Sequence, residues 1–92
     1  MPKLNISKKA VKFLEKIPSK HAKQIAYKLQ ELKKDIHPND SKSLKGSKYF
    51  RVDSGEYRIV YRYTPEEDTT YISLIGKRND DEIYKQLDRL TH

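Results

Sequence analysis

The chain contains no cysteine, and this absence excludes two classes of protein. Without thiols it can form neither a disulfide framework nor a thiolate metal site. It also lacks any apolar run approaching the ~20 residues that a membrane-spanning helix needs. Residues 1–6 do not form the apolar stretch of a signal peptide. Together these absences predict a cytoplasmic location.

Several common catalytic motifs are also missing. The three histidines, His21, His37 and His92, fall in a predicted helix, a turn and the terminus, so we expect neither a histidine ligand set nor a histidine acid–base couple. The sequence has no glycine-rich phosphate loop and no G-x-S-x-G motif. We therefore expect a protein that works without a metal ion or cofactor.

Positive charge is abundant and unevenly placed. The 92 residues fit one domain and carry a formal net charge of +7, with a pI of about 9.6. Residues 1–34 hold ten lysines against two glutamates, and the rest of the chain nearly balances. Such a balance favours a polyanionic partner, either nucleic acid, an anionic membrane surface or an acidic protein. The lysine-rich segment is typical both of a solvated helical face and of a phosphate-backbone contact.

The first third of the chain has a helical pattern. Residues 2–6 predict a short strand, and Ser7 then suits the N-cap of a helix. Apolar residues recur at helical spacing until Pro18 ends this helix. We expect Ser19 to cap a second helix that continues to about residue 36 and forms a helical hairpin with the first.

From residue 48 onward the hydrophobic period changes to two, which is typical of strands. Residues 48–53 and 57–63 predict two strands joined by a turn at residues 54–56. Residues 70–76 are apolar on both faces and predict a central strand.

A short helix containing Ile83, Leu87 and Leu90 is predicted to end the chain. The order β-α-α-β-β-β-α predicts a single α+β domain over residues 1–92. In this fold the N-terminal strand and helical hairpin pack on one face of a mainly antiparallel four-stranded sheet. The other face is left partly open.

Arginines and a tyrosine are predicted to meet on this open face. Strand alternation places Arg51 and Arg58 on adjacent strands, pointing away from the core, and Arg78 lies just beyond the third strand. Tyr84 follows on the final helix. Guanidinium groups donate in pairs to phosphate oxygens and stay charged. They suit a phosphodiester, and suit better the extra charge that forms when a 2′-hydroxyl attacks it.

Each of these residues has an ordinary structural interpretation as well. A single arginine on an exposed strand is more typical of a solvated edge or a cross-strand pair than of a catalyst. Tyr84 is equally typical of a residue that packs a helix onto a sheet. The four strand tyrosines, Tyr57, Tyr61, Tyr63 and Tyr71, are better explained as core or cross-strand partners than as base-stacking platforms.

Four segments, in this order and spacing, resemble the RelE/ParE superfamily of toxins from type II toxin–antitoxin systems, and the resemblance covers essentially the whole chain. Any one of them alone is a weak signal, and jointly they are fairly specific. They read KSLKG at residues 42–46, YFRV at 49–52, EYRIVY at 56–61 and IGKRNDDEIY at 75–84.

The resemblance is strongest to the RelE branch and implies a catalytic function. RelE-type members are ribosome-dependent mRNA interferases that cleave the codon in the A site by 2′-hydroxyl attack, without a metal ion. On this resemblance Arg58 and Arg78 match arginines that stabilise the transition state, and Tyr84 matches a C-terminal tyrosine. Arg51 falls where the family often has a further basic residue on the sheet.

One position departs from the family. Where some relatives carry a lysine assigned to general-base catalysis, this chain has Tyr49. Lys45, in the preceding loop, is a possible substitute, whereas Lys48 should point to the opposite face of its strand. We expect Lys45, Lys48, Tyr49 and Lys77 to contact the substrate.

The resemblance also implies partners and alternatives. A RelB-like antitoxin would fold on binding, and the basic helical hairpin suits an acidic amphipathic helix. The ribosome, with bound mRNA and rRNA, is the other expected partner. Two other functions remain open, a ParE-like DNA gyrase inhibitor and a non-catalytic module that binds RNA or antitoxin. The presence of Arg58, Arg78 and Tyr84 as a set favours the endoribonuclease.

Overall fold

The helices and strands follow one another in the order β-α-α-β-β-β-β-α. They lie within residues 3–44, 46–79 and 82–91, the part of the chain that the computed structural model describes. The predicted α+β class is confirmed, with one strand more than the four expected. The elements are β1 (Lys3–Ile6), α1 (Lys8–Lys16), α2 (Ser19–Lys34), β2 (Lys42–Ser43), β3 (Phe50–Ser54), β4 (Tyr57–Thr64), β5 (Thr69–Lys77) and α3 (Glu82–Thr91).

The helical hairpin begins with a capped turn. The Ser7 hydroxyl accepts a hydrogen bond from the Ala10 amide at 3.1 Å, which confirms the predicted N-cap of α1. The predicted capping role of Ser19 is wrong, because Ser19 is already the first residue of α2. Pro18 occupies the cap position instead, and its carbonyl accepts from the amides of His21 and Ala22. None of the described helices is long and apolar enough to cross a bilayer.

The five strands form one sheet in the order β1-β5-β4-β3-β2, with β1 parallel to β5 and the other neighbours antiparallel. The additional strand, β2, pairs with the start of β3 through Lys42 and Ser43. Two residues are too few to leave a period-two pattern in the sequence, so β2 was not predicted. Between β3 and β4 a two-residue loop, Gly55–Glu56, brings Ser54 opposite Tyr57.

Each face of the sheet carries its own hydrophobic cluster. The helical hairpin covers one face with Ile25, Leu29 and Leu32, which are buried against strand residues such as Tyr61. On the opposite face α3 packs over part of the sheet, which the sequence predicted as partly open. The second cluster consists of Tyr49, Val60, Leu74, Ile83 and Leu87. The side chain of Leu90 lies outside the described part of the chain.

A bulge in β5 shifts by one residue the alternation of this strand between the two clusters. Val60 pairs with Leu74, but the next residue of β4, Tyr61, pairs with Ile72, so Ser73 is the extra residue. Its carbonyl accepts a hydrogen bond from the Ser7 hydroxyl at 2.7 Å. After the bulge Leu74 joins the α3 cluster and Ile75 joins the hairpin cluster.

Candidate active site

A cross-strand ion pair lies on the α3 face of the sheet, near the loop between β3 and β4. Asp53 on β3 stands directly opposite Arg58 on β4. The Nε atom of Arg58 donates to Asp53 Oδ1 at 2.8 Å, and Nη2 donates to Oδ2 at 3.4 Å. The side chain of Arg58 keeps only 14% of its surface exposed, against 35% for Asp53. A bidentate pair of this kind fixes the plane of the guanidinium.

Tyr84 completes the contacts of this guanidinium. The Nη1 group of Arg58 donates to the Tyr84 hydroxyl, and the guanidinium carbon lies 5.7 Å from the centre of the tyrosine ring. Tyr84 is half-buried and packs against the α3 cluster. The same packing that holds α3 on the sheet therefore sets the position of the phenol.

Arg51 and Arg78 approach the same carboxylate without forming an ion pair with it. The pKa of Asp53 is lowered first by the hydrogen bond from Arg58, and the positive charges of Arg51 and Arg78 lower it further. Asp53 in turn raises the pKa of Arg58. Among the described residues neither Arg51 nor Arg78 has a carboxylate within ion-pair distance. The charges of both guanidinium groups thus add to that of Arg58 around Asp53.

Local backbone structure explains why these residues meet. Arg51 and Asp53 flank the buried Val52 on β3 and so share a face. The amide of Arg78, just past β5, donates to the carbonyl of Glu56 at 3.0 Å, which ties the end of β5 to the loop between β3 and β4. Gly76 stands opposite Arg58, and Ile83 is its near neighbour. A glycine here leaves room for α3 to lie close to the sheet.

The residues predicted to contact substrate do not gather in one place. Tyr49 keeps only 7% of its surface exposed and packs in the α3 cluster. Lys48 is exposed in the loop before β3, and Lys45 lies outside the described residues. Lys77 stands opposite Tyr57, whose ring belongs to the hairpin cluster, so Lys77 lies on the other face from Arg58.

Asp53 is the residue that the sequence analysis missed. The signal was present in the two-residue loop Gly55–Glu56, since such a loop fixes the register and places Asp53 opposite Arg58. Among the described residues, no cluster of three or more His, Asp or Glu side chains could hold a metal ion.

A second feature lies at the edge of the sheet, beside the candidate active site. A cavity of about 410 Å³ opens between α1, the end of β5 and α3, and we call it the α1–β5–α3 groove. Phe13 and Ile83 contribute apolar surface, and no described acidic side chain lines it. Its basic residues are Lys9, Lys12, Lys16, Lys77 and Arg89.

Comparison with protein families identifies the chain. Residues 4–82 match the model of the ParE toxin of the type II toxin–antitoxin system parDE. The chain belongs to this toxin family. No curated protein matches it.

Solved structures of RelE toxins share the fold of this toxin. An arginine-to-alanine double mutant of Escherichia coli RelE in the free state superposes with a TM-score of 0.80 at 23% identity, covering 96% of each chain. The intact E. coli RelBE complex gives 0.73 at 24% identity, over 84% of this chain and 96% of that one. The RelB–RelE complex of Methanococcus jannaschii gives 0.69 at 27% identity, over 89% and 96%. The protein is a RelE/ParE-type toxin of a type II toxin–antitoxin system.

Proposed function

We propose that this toxin is a ribosome-dependent endoribonuclease that cleaves mRNA in the ribosomal A site. The observation that carries the proposal is the charge arrangement around Asp53, where Arg58 contacts Tyr84 and the charges of Arg51 and Arg78 reach the same carboxylate as Arg58 does. Such a site suits a reaction in which negative charge grows on phosphate oxygens.

The proposed reaction is an internal transfer at one phosphodiester. The 2′-oxygen of the RNA bonds to phosphorus, the bond from phosphorus to the 5′-oxygen breaks, and the products are a 2′,3′-cyclic phosphate and a 5′-hydroxyl. The 2′-hydroxyl passes its proton to solvent, and the leaving 5′-oxygen gains one. Arg51, Arg58 and Arg78 would neutralise the added charge of the phosphorane, and one preorganised donor of this kind contributes about 3–4 kcal/mol.

The contact between Arg58 and Tyr84 supports a role for Tyr84 in proton transfer. Its oxygen accepts a hydrogen bond from Arg58, so its own proton is not used in that contact. We assign Tyr84 the role of general acid toward the 5′-oxygen. The ring of Tyr49 packs in the α3 cluster, and we assign it a structural role beneath the site.

An antitoxin is the proposed protein partner. The structures of related toxins include complexes with RelB antitoxins from E. coli and M. jannaschii. The basic residues of α1 and α2 would attract an acidic amphipathic segment that orders on binding.

A cell-free translation reaction tests the catalytic proposal. The 5′ ends of a defined mRNA are mapped after incubation with the toxin, with and without ribosomes. We expect cuts within codons only when ribosomes are present, and a loss on the order of a hundredfold or more for Arg78→Ala. Arg62→Ala is the matched control, because Arg62 is on the same strand as Arg58 but stacks on Tyr71, 4.3 Å from its ring centre.

The second candidate function is inhibition of DNA gyrase, and the matching family model, described as a ParE toxin, favours it. Inhibition would act through protein binding and would not need the arginine cluster as a set. Intact mRNA together with blocked DNA supercoiling in a purified gyrase assay would replace the endoribonuclease proposal with this one. Intact mRNA with normal supercoiling would leave a non-catalytic binding module.

A further inference from the structure

We propose that Asp53 is a positioning residue, which fixes the edge that the Arg58 guanidinium presents to the substrate phosphate. This inference rests on the proposed function. Neither the sequence motifs nor the family resemblance assigns Asp53 a role.

The backbone holds Asp53 in place before any side chain contact forms. The loop Gly55–Glu56 joins β3 to β4 with two residues, and Asp53 and Arg58 are the second pair after it. Directly opposite residues of antiparallel strands share a face, with Cβ atoms about 5 Å apart. The carboxylate therefore reaches the guanidinium over a short and rigid path.

The hydrogen-bond donors of Arg58 can be counted one by one. A guanidinium has five N–H groups. The Nε–H and one N–H of Nη2 go to Asp53, and one N–H of Nη1 goes to Tyr84. One N–H remains on each terminal nitrogen. The carboxylate occupies the edge of the guanidinium that is formed by Nε and Nη2. A phosphate must therefore approach the edge formed by Nη1 and Nη2, next to the Tyr84 hydroxyl.

The negative charge of Asp53 also helps to hold Arg58 in this orientation. Because Arg58, Arg51 and Arg78 all lower its pKa, the carboxylate stays ionised at neutral pH and is a poor acceptor for the 2′-hydroxyl proton. A fixed negative charge between three guanidinium groups also reduces their mutual repulsion. Asp53 thus acts through the arginines and not on the RNA.

The test compares Asp53→Ala and Asp53→Asn with the wild-type toxin. We expect the maximal single-turnover cleavage rate on programmed ribosomes to fall roughly ten- to hundredfold for Asp53→Ala, while the KM for ribosomes does not rise. Asp53→Asn should lie between the two, because the amide oxygen still accepts from the Nε–H. The matched control is Asp40→Asn, which removes a carboxylate from the ion pair with Lys28, outside the candidate site.

A second readout does not depend on catalysis. The Nε–H signal of Arg58 in the NMR spectrum of the free toxin should be protected from exchange in the wild type and in Asp40→Asn, and lost in Asp53→Ala. Undiminished cleavage by Asp53→Ala would overturn the proposal, as would an unchanged Arg58 signal. If the wild-type toxin cleaves no mRNA, the proposed function fails. The NMR readout then decides whether Asp53 orders Arg58.

Discussion

Asp53 holds its negative charge to lower pH than a free aspartate does, because Arg58 binds it and Arg51 and Arg78 lie close by. The folded state therefore favours the ionised carboxylate. This preference stabilises the protein at any pH above the ordinary pKa of 3.8, and the stabilisation is lost as the pH falls through the lower pKa of the folded state.

The first prediction follows from that linkage. Asp53→Asn should unfold with a free energy about 0.5–1 kcal/mol below that of the wild type at neutral pH. The difference should be smaller at about pH 3, where the unfolded wild-type carboxyl is mostly protonated, and should disappear only below the lowered pKa of the folded state. Urea denaturation at both pH values measures it. Glu66→Gln, in the exposed loop between β4 and β5, controls for the loss of one negative charge. A difference of equal size at both pH values would contradict the linkage.

A second prediction concerns the hydroxyl of Tyr84. Tyr84→Phe keeps the ring against the α3 cluster but removes the group that accepts from Arg58. If Tyr84 is the general acid, cleavage on ribosomes should slow by on the order of a hundredfold. The free energy of unfolding should change by only about 1 kcal/mol. Tyr63→Phe removes a hydroxyl bonded to Asp68 in the loop after β4 and should leave cleavage unchanged. Equal rates for both variants would exclude the acid role.

At the scale of whole elements, the loop between β3 and β4 determines the geometry of the site. Gly55 adopts a φ of +60°, where a side chain costs about 1–2 kcal/mol. This conformation allows a tight loop, and the tight loop sets Asp53 opposite Arg58.

The third prediction is that Gly55→Ala lowers the free energy of unfolding by about 1 kcal/mol. The added Cβ would also lie 3.4 Å from Gln24 Oε1. Gly55→Asn should cost less, since asparagine tolerates this region better than alanine. Glu56→Ala, at the second loop position, should change stability by no more than about 0.5 kcal/mol. The four proteins can be ranked by chemical denaturation, and a Gly55→Ala variant as stable as Glu56→Ala would argue against strain at this glycine.

Helices and strands long enough to repeat their apolar pattern several times were predictable from the sequence, and shorter features were not. The alternation of Arg58, Ile59, Val60 and Tyr61 identified β4 and its two faces. The β2 strand is too short for a pattern, and the bulge at Ser73 becomes visible only through its pairing partners. That Pro18 and not Ser19 is the N-cap of α2 follows from where the helical hydrogen bonds begin, which the sequence pattern does not show.

Prediction of the candidate site shows the same division. Strand alternation was enough to suggest that Arg51 and Arg58 lie near one another. Recognising Asp53 as the partner of Arg58 required the register of the hairpin. Locating Lys77 required knowing which face each β5 residue occupies after the bulge. The register and the facing of strand residues depend on how the strands pair. A single sequence indicates this pairing only where a tight loop fixes it.

At the scale of the whole molecule, the positive charge is concentrated rather than spread. The α1–β5–α3 groove has five basic residues and no described acidic side chain on its walls. A concentrated field of this kind attracts polyanions more strongly than the same charge dispersed over the surface.

The fourth prediction tests this concentration. Reversing Lys9, Lys12 and Lys16 to glutamate should elute the toxin from heparin at much lower salt than the wild type. Reversing Lys23, Lys34 and Lys42, three exposed lysines that do not line the groove, changes the net charge equally and should shift elution less. Identical shifts would mean that only the net charge matters.

The bulge at Ser73 has a consequence for how this chain can vary in length. Because Ser73 is the extra residue of the bulge, its deletion would make Ile72 and Leu74 regular neighbours and leave every other β5 residue on its present face. A single insertion after the bulge has the opposite effect, because it would exchange the faces of the residues beyond it and turn Lys77 to the face of Arg58. Insertions in the loop between β4 and β5 carry no such penalty. We expect related toxins to vary in length in that loop, and within β5 only by loss of the bulge.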